Sequence, residues 1–397
     1  MKDVVIVDAL RTPVGNHGGM LKNFTALDLT VAIIKGLIDR TKIDASSIAE
    51  VIFGNVFQSS DAPNVARVAA LKAGIPKEVP AYTVARNCDS GMDAIIYAWR
   101  SIQVGDGDIY LVGGVESMST IPYLVRGARW GLKLRHSELT DALWEGLTDP
   151  NCGQIMGRTA ENLVEEYNLT REQQDEFAVG SHQKAHQAQQ DGKFDDEIMG
   201  IEIVRRKDKT ILTQDETINP DLTIEKAAKA PAVFKENGTV TPANACSISD
   251  GACAVLIMTA DKASELGYSP LAKIVSYGYA GVEPERMGIA PAYAIPKALE
   301  KAGLKLEQMD LIEINEAFAG QVLAVGAELG IDWDKVNVNG GAIALGHPVG
   351  SSGCRIMVTL LHEMKRRKKE GIPIQYGLAS LCAEGGQGST LIVEIAE

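Results

Sequence analysis

Cysteine is scarce in this chain, six residues in 397, and no two of them form a CxxC pair. That is too little for a disulfide scaffold and offers no zinc ribbon. Long hydrophobic runs are missing: nothing approaches the roughly 18 apolar residues of a membrane span. GxGxxG, GxxxxGK(S/T) and GxSxG are also absent, so the common dinucleotide, P-loop and serine-hydrolase sites find no support. Basic residues are outnumbered, 39 Lys and Arg against 52 Asp and Glu, which leaves a formal charge of −13. This balance argues against chain-wide affinity for nucleic acid or an anionic membrane surface. The opening MKDVVIVDALRTP sets Asp3, Asp8 and Arg11 around a short apolar run and does not read as a signal peptide. A reducing cytoplasm is the expected setting.

Aromatic residues make up only 5%, whereas glycine reaches 39. Such a chain suits tight strand-to-helix turns and an alternating α/β architecture. Its length suggests two or three domains at roughly 150 residues each. Residues 4–7, 50–53 and 109–112 read as strands, the last ending at Gly113-Gly114; 27–38 and 91–103 read as helices. Residues 120–249 are more polar and less regular, and read as an inserted or lid-like domain. Within them Thr170 and Gln173 form a capping box that opens a helix running to about Gln190. Apolar patterning returns with a strand over 252–258.

The segment 271–397 echoes the first. Asp310-Leu-Ile-Glu-Ile-Asn315 resembles Glu50-Val-Ile-Phe-Gly-Asn55 at an offset of 260 positions, and Ser352-Gly353 resembles Ser90-Gly91 at 262. Two nearly equal offsets point to a duplicated fold, with 1–119 plus 250–270 as one half and 271–397 as the other.

Cys88 lies in Ala85-Arg-Asn-Cys88-Asp-Ser-Gly91, just ahead of a helix. Helix N-termini direct free N–H groups and partial positive charge at such a sulfur, which favours the thiolate. A nucleophile and a small buried hydrophobe are both open readings. His347 sits among five glycines in Asn339-Gly-Gly-Ala-Ile-Ala-Leu-Gly-His347-Pro-Val-Gly-Ser-Ser-Gly353, where backbone approaches a ligand closely; a loop histidine with a local hydrogen bond is the alternative. Cys382 follows a β-like 376–381 and precedes Gly385-Gly386, well placed to act on a ligand or simply buried. Asn315 ends a strand and reads either as a site residue or as a plain N-cap. His182 and His186 lack a third partner for zinc, and no metal is expected. Lys365-Arg-Arg-Lys-Lys369 reads as a solvated helix end. Arg126, Arg129, Lys133 and Arg135 flank Trp130 as a subunit contact, an anion-binding wall or plain surface.

Together these motifs resemble the thiolase family over essentially the whole chain. The likeness runs from Val7-Asp-Ala-Leu-Arg-Thr-Pro13 and Cys88-Asp-Ser-Gly91 through Gly113-Gly-Val-Glu-Ser-Met118 and Met156-Gly-Arg-Thr-Ala-Glu-Asn162. It continues in Ser249-Asp-Gly-Ala252, Asn315-Glu-Ala-Phe318, Gly346-His-Pro348 and Cys382-Ala-Glu-Gly-Gly386. The resemblance implies two duplicated αβαβα-layered halves with a loop domain inserted in the first. It also implies reversible Claisen chemistry on coenzyme A thioesters. Cys88 would be the acylated nucleophile, His347 its activator and Cys382 the general acid/base. Asn315, through a water, and His347 would hold one thioester oxygen; the backbone N–H groups of Cys88 and Glu384 would hold the other. Met156, Cys246, Met287, Ala317 and Phe318 would line the substrate pocket. Neither metal nor redox cofactor is implied, and a homodimer or homotetramer is, with Arg126 to Arg135 as the tetramer contact.

Departures from the family pattern are Ala85 for a frequent Asn, Glu384 for Gly or Ala, Cys246 for Ser, and Ile155 where acetoacetyl-specific members often carry His. Residues 227–234, where nucleotide-phosphate contacts are sought, also differ. The reading taken is a short-chain enzyme interconverting two acetyl-CoA with acetoacetyl-CoA and CoA. A longer-chain 3-ketoacyl-CoA thiolase of β-oxidation is the nearest alternative, on 292–297 and 382–386. A catalytically silent CoA-binding subunit and a ketoacyl synthase are the others; the synthase needs histidines where this chain has Asn315 and Cys382.

Overall fold

The computed structural model describes residues 2–205 and 208–396. In chain order the main elements begin with β1 (Val4–Arg11), α1 (Ala26–Thr41), β2 (Glu50–Gly54), α2 (Val65–Ala73), β3 (Ala81–Val84), α3 (Ser90–Val104) and β4 (Ile109–Ser117). An insertion carries α4 (Met156–Glu166) and α5 (Arg171–Gln190), after which β5 (Ser249–Thr259) returns to the first sheet. The second half holds β6 (Ala272–Gly281), α6 (Ala290–Ala302), β7 (Leu311–Ile314), α7 (Ala319–Leu329), α8 (Val349–Lys369), β8 (Tyr376–Ala383) and β9 (Gln387–Ile395). The capping box read at Thr170 and Gln173 opens α5, and a second one, Thr25 with Asp28, opens α1.

The strands form one ten-stranded mixed sheet in the order β7-β8-β9-β6-β1-β5-β4-β2-β3, with the two-residue strand Gly15–Asn16 beside β5. Its two halves join only through β1 and β6, at Val5 with Lys273 and Ile6 with Ala272. Five layers follow from where the apolar faces go. One core packs α1 and α2 on the outer face of the first half, and another packs α6 and α7 on the outer face of the second. The central core is α3 and α8, held between the inner faces of both. A chain that buries both faces of nearly every strand needs no alternation of polar residues, and β4 and β5 are buried throughout.

Glycine sets how closely the central helices cross. A Cβ on Gly91 would stand 2.8 Å from the backbone nitrogen of Cys354, and one on Gly353 would stand 2.7 Å from that of Met92. These are the glycines paired by the sequence offset, so each half supplies one contact of the crossing.

Three local expectations change. Gly113 and Gly114 do not end β4, which continues to Ser117; a Cβ on Gly113 would meet the Cys253 carbonyl at 2.1 Å, so they allow close approach inside the strand. Cys382 lies within β8 and not beyond it. Asn315 is not an N-cap, because α7 starts at Ala319 with Phe318 in the capping position. The insertion builds much of its packing on other parts of the chain: Leu163 of α4 belongs to the outer core of the second half. Among the described residues, no helix is long and apolar enough to cross a membrane.

Candidate active site

Cys88 stands two residues ahead of α3, in a turn fixed by its neighbours. Ser90 Oγ accepts the Arg86 N–H at 2.8 Å and donates to the Asn87 carbonyl at 2.6 Å. Asn87 takes a left-handed φ of 46° and donates its side-chain N–H to the Glu384 carbonyl at 3.1 Å. That bond ties the Cys88 turn to the loop after β8. Cys382 arrives from β8, and the chain then reverses through Gly385 and Gly386 at φ 84° and 74°. Only glycine fits the second of these, where a Cβ would lie 2.1 Å from the Val282 carbonyl oxygen.

His347 also stands two residues ahead of its helix, α8. Its backbone N–H reaches the Ser247 carbonyl at 3.2 Å. Its Nδ1 lies 2.6 Å from Ser352 Oγ, which is 3.0 Å from the Pro348 carbonyl. A hydroxyl has one proton, and only donation to Pro348 makes a hydrogen bond of that second contact. Ser352 therefore accepts from Nδ1–H, and Nε2 carries the free lone pair. This chain of two hydrogen bonds leaves Nε2 able to accept a proton. Asn315 Nδ2 lies 3.5 Å from the same Nδ1, and its Oδ1 is buried with no protein partner among the described residues.

Cys88, His347, Cys382 and Glu384 line one cavity of about 190 Å³ together with Met156, Cys246, Met287, Ala317 and Phe318. Asn315 stands behind the wall, against His347. Phe318 meets Phe234 edge to face, with ring centroids 6.2 Å apart. Cys246 N–H bonds the Ala317 carbonyl at 3.1 Å and so joins two walls. The apolar lining with a few convergent polar groups suits a small-molecule site.

The electrostatics correct the expected thiolate. Burial pushes the Cys88 thiol well above its ordinary value, and Cys382, Asp89, Glu384 and Cys246 push it the same way. A helix N-terminus favours an anion by at most about 2 kcal/mol, or about 1.5 pKa units. Burial and the surrounding acids and thiols act the opposite way and outweigh it. Cys382 is raised by burial and then by Asp89. His347 goes the other way, down to about 3, through burial and then the Arg355 charge. The resting trio is two thiols and a neutral imidazole, so a nucleophilic role for either sulfur would require proton movement.

Two residues escaped the sequence reading. Ser352 orients the imidazole; its signal is a serine five positions after the histidine, one helical turn past Pro348. Asp89 is fully buried, neither of its oxygens is well hydrogen-bonded, and burial followed by Asp93 raises its carboxyl. Its signal was an acid written directly after the candidate nucleophile. His182 accepts the Asn219 N–H at 3.1 Å on Nδ1, a structural role, and no metal-holding group occurs among the described residues. The cations at the end of α8 are partly paired, Arg366 with Glu363 and Glu370 and Arg367 with Glu363.

Comparison with known proteins agrees along the full chain. The family model for the thiolase N-terminal domain matches residues 4–261, and that for the thiolase C-terminal domain matches 268–395. An acetyl-CoA acetyltransferase of Pseudomonas aeruginosa is 50% identical, covering 98% of this chain and 99% of its own. A probable acetyl-CoA acyltransferase of Staphylococcus epidermidis is 47% identical, covering 99% of both. The crystal structure of the Bacillus anthracis acetyl-CoA acetyltransferase superposes with a TM-score of 0.97 at 47% identity, over 100% of this chain and 99% of that one. Human mitochondrial 3-ketoacyl-CoA thiolase gives 0.96 at 45% identity with the same coverage. With two family models end to end and relatives matched over nearly their whole length, this chain belongs to the thiolase family.

Proposed function

We propose that this protein is an acetyl-CoA C-acyltransferase that cleaves and forms short 3-ketoacyl-CoA thioesters, acetoacetyl-CoA first among them. The observation that carries the reading is the meeting of Cys88, Cys382 and His347 on one cavity. In the cleavage direction Cys88 gives its proton to His347 Nε2 while its sulfur attacks the ketone carbon. The bond between the ketone carbon and the α-carbon breaks, and the electron pair leaves with the acetyl-CoA fragment as an enolate. Cys382 protonates that carbon. Coenzyme A then gives its thiol proton to the Cys382 thiolate and attacks the acyl group. Cys88 departs and recovers the proton held on His347.

An α-proton is far less acidic than a thiol, so the step back toward condensation depends on holding the enolate oxygen. Asn315, with its unpaired buried Oδ1 and its contact to His347, is assigned to that oxygen through a water; the N–H groups of Cys88 and Glu384 are assigned to the other. One preorganised donor is worth about 3–4 kcal/mol. The substrates supply the thioester and the thiol, and the reading calls for no metal or redox cofactor.

The protein is proposed to act as a homodimer or as a dimer of dimers. Strand β3 ends the sheet with half-buried residues on its open edge, a natural site for a second copy. Trp130 and Leu134 stand out at 86% and 98% exposure among Arg126, Arg129, Lys133 and Arg135, a surface that a second dimer would cover. Sedimentation at a monomer mass would contradict this assembly.

Mass spectrometry after exposure to acetyl-CoA tests the enzyme. An acetyl group is expected on the Cys88 peptide of the wild type and none in Cys88→Ser. An unmodified wild-type peptide would end the reading.

A further inference from the structure

The chemistry above uses the backbone of Glu384 and leaves its side chain without a task. Glu384 is among the residues that line the cavity with Cys88, and its side chain makes no hydrogen bond or ion pair with any described residue. It is the one acidic residue among the described residues lining the cavity, where half of the others are Met, Leu, Ile, Phe or Trp. It acts electrostatically on the Cys88 sulfur, where the acyl group is carried. Asp149, two residues past the lining residue Leu147, acts on it electrostatically; one Asp149 oxygen takes the N–H groups of Asn151 and Cys152, and the other is buried without a partner among the described residues.

We propose that Glu384 is a specificity-determining residue, whose side chain makes the acyl end of the cavity select groups bearing a hydrogen-bond donor, such as a hydroxyl, over plain alkyl groups of equal length. This inference rests on the proposed acyltransferase reading and names the substrate class of that same site. Acetyl is short enough to leave the half-buried carboxyl its water. A butanoyl group on Cys88 reaches further and presses methylenes against an unpaired carboxyl, which is costly when nothing replaces the lost water. A hydroxyl on that chain restores a partner. Sites that hydrogen-bond a substrate hydroxyl reject the analogue without it far more sharply than they reject a change of one methylene. Half exposure reduces the effect here to about tenfold.

Charge supplies a second handle. Burial, with Asp149 adding to it, pushes the Glu384 carboxyl up to about 7. Below that value the carboxyl is neutral and tolerates an alkyl chain better; above it the anion does not. Discrimination therefore widens as pH rises through 7. The other titratable groups around it are Asp149, Cys88, Cys246, Cys382, Asp89 and His347. All three thiols are raised above that window and His347 is lowered beneath it. Any pH dependence that survives removal of the Glu384 charge belongs to those neighbours.

The test uses the purified full chain with 3-ketohexanoyl-CoA, 5-hydroxy-3-ketohexanoyl-CoA and acetoacetyl-CoA, comparing kcat/KM for thiolysis at about pH 6 and about pH 8. The wild type is expected to prefer the hydroxylated substrate by about tenfold at the higher pH and less at the lower. Glu384→Ala is expected to lose that preference, and Glu384→Gln to keep a ratio that does not change with pH. Equal ratios in the wild type and Glu384→Ala, with acetoacetyl-CoA still cleaved by the wild type, overturn this inference alone. A wild type that cleaves none of the three overturns the enzyme reading, and the inference with it.

Discussion

The two halves of the molecule put the same strand-end pair to different uses. Asn55 follows β2 and Asn315 follows β7; Glu116 lies two residues past the last register pair of β2 with β4, and Cys382 two past that of β7 with β8. In the first half the pair is closed. Glu116 accepts from Asn55 Nδ2 at 2.8 Å and from the N–H groups of Val56, Phe57 and Gly350. In the second half it is open: Asn315 leaves an oxygen unpaired, and Cys382 faces the cavity. A duplicated fold has here kept one copy as a brace and turned the other toward a ligand. Unsatisfied valence at an otherwise well-bonded position distinguishes the copy on the cavity from the copy that braces.

Substitution can break that contrast. Cys382→Ala is expected to retain acetylation of Cys88 while lowering condensation by about a thousandfold or more, read by burst mass spectrometry beside steady-state rates. Glu116→Ala removes the acceptor of four donors, two of them in buried hydrogen bonds; loss of such a network is expected to cost about 3 kcal/mol of stability, read as a lower unfolding midpoint. Equal losses of activity without destabilisation in both variants would erase the distinction between brace and site. A smaller effect is expected at the helix crossing. Gly91→Ala and Gly353→Ala each drive a Cβ into the backbone of the opposing helix, and each is expected to cost about 1–3 kcal/mol. Either change moves the helices that carry both Cys88 and His347, so activity falls with stability; a neutral Gly353→Ala would mean that only one half sets the spacing.

Much of this was visible in the sequence because it depends on local pattern. The offsets 260 and 262 become equivalent strands and the two contact glycines of the crossing. The capping box at Thr170 became the start of α5 because its two reciprocal hydrogen bonds span only three residues. What stayed hidden depends on enclosure. The dipole at the start of α3 suggested a thiolate, but the walls that raise the Cys88 thiol come from distant segments, such as Cys382 and Glu384. Gly113 and Gly114 read as a strand end because the reason for them, the Cys253 carbonyl and the Gly350 backbone, lies across the fold. The polar texture of 120–249 suggested a separate body, yet part of its apolar face is matched by a distant helix.

The serines ahead of the paired glycines sharpen the comparison most finely. Ser90 and Ser352 are related by the same offset, and each donates to a nearby carbonyl. Their acceptor sides differ: Ser90 takes a backbone N–H, whereas Ser352 takes the imidazole Nδ1–H. Ser90→Ala removes a turn bond and is expected to cost about 1 kcal/mol of stability. Ser352→Ala frees the ring to turn and to exchange its tautomer, so Nε2 is the base for only part of the time. The expected result is a fall in kcat of about 10–100-fold with KM nearly unchanged, because the residue touches no substrate. Stopped-flow acylation of Cys88 would slow by the same factor, whereas a packing defect would lower the unfolding midpoint first. A Ser352→Ala enzyme that acylates at the wild-type rate would show that the imidazole holds its orientation without this hydroxyl, and the two serines would then be equivalent after all.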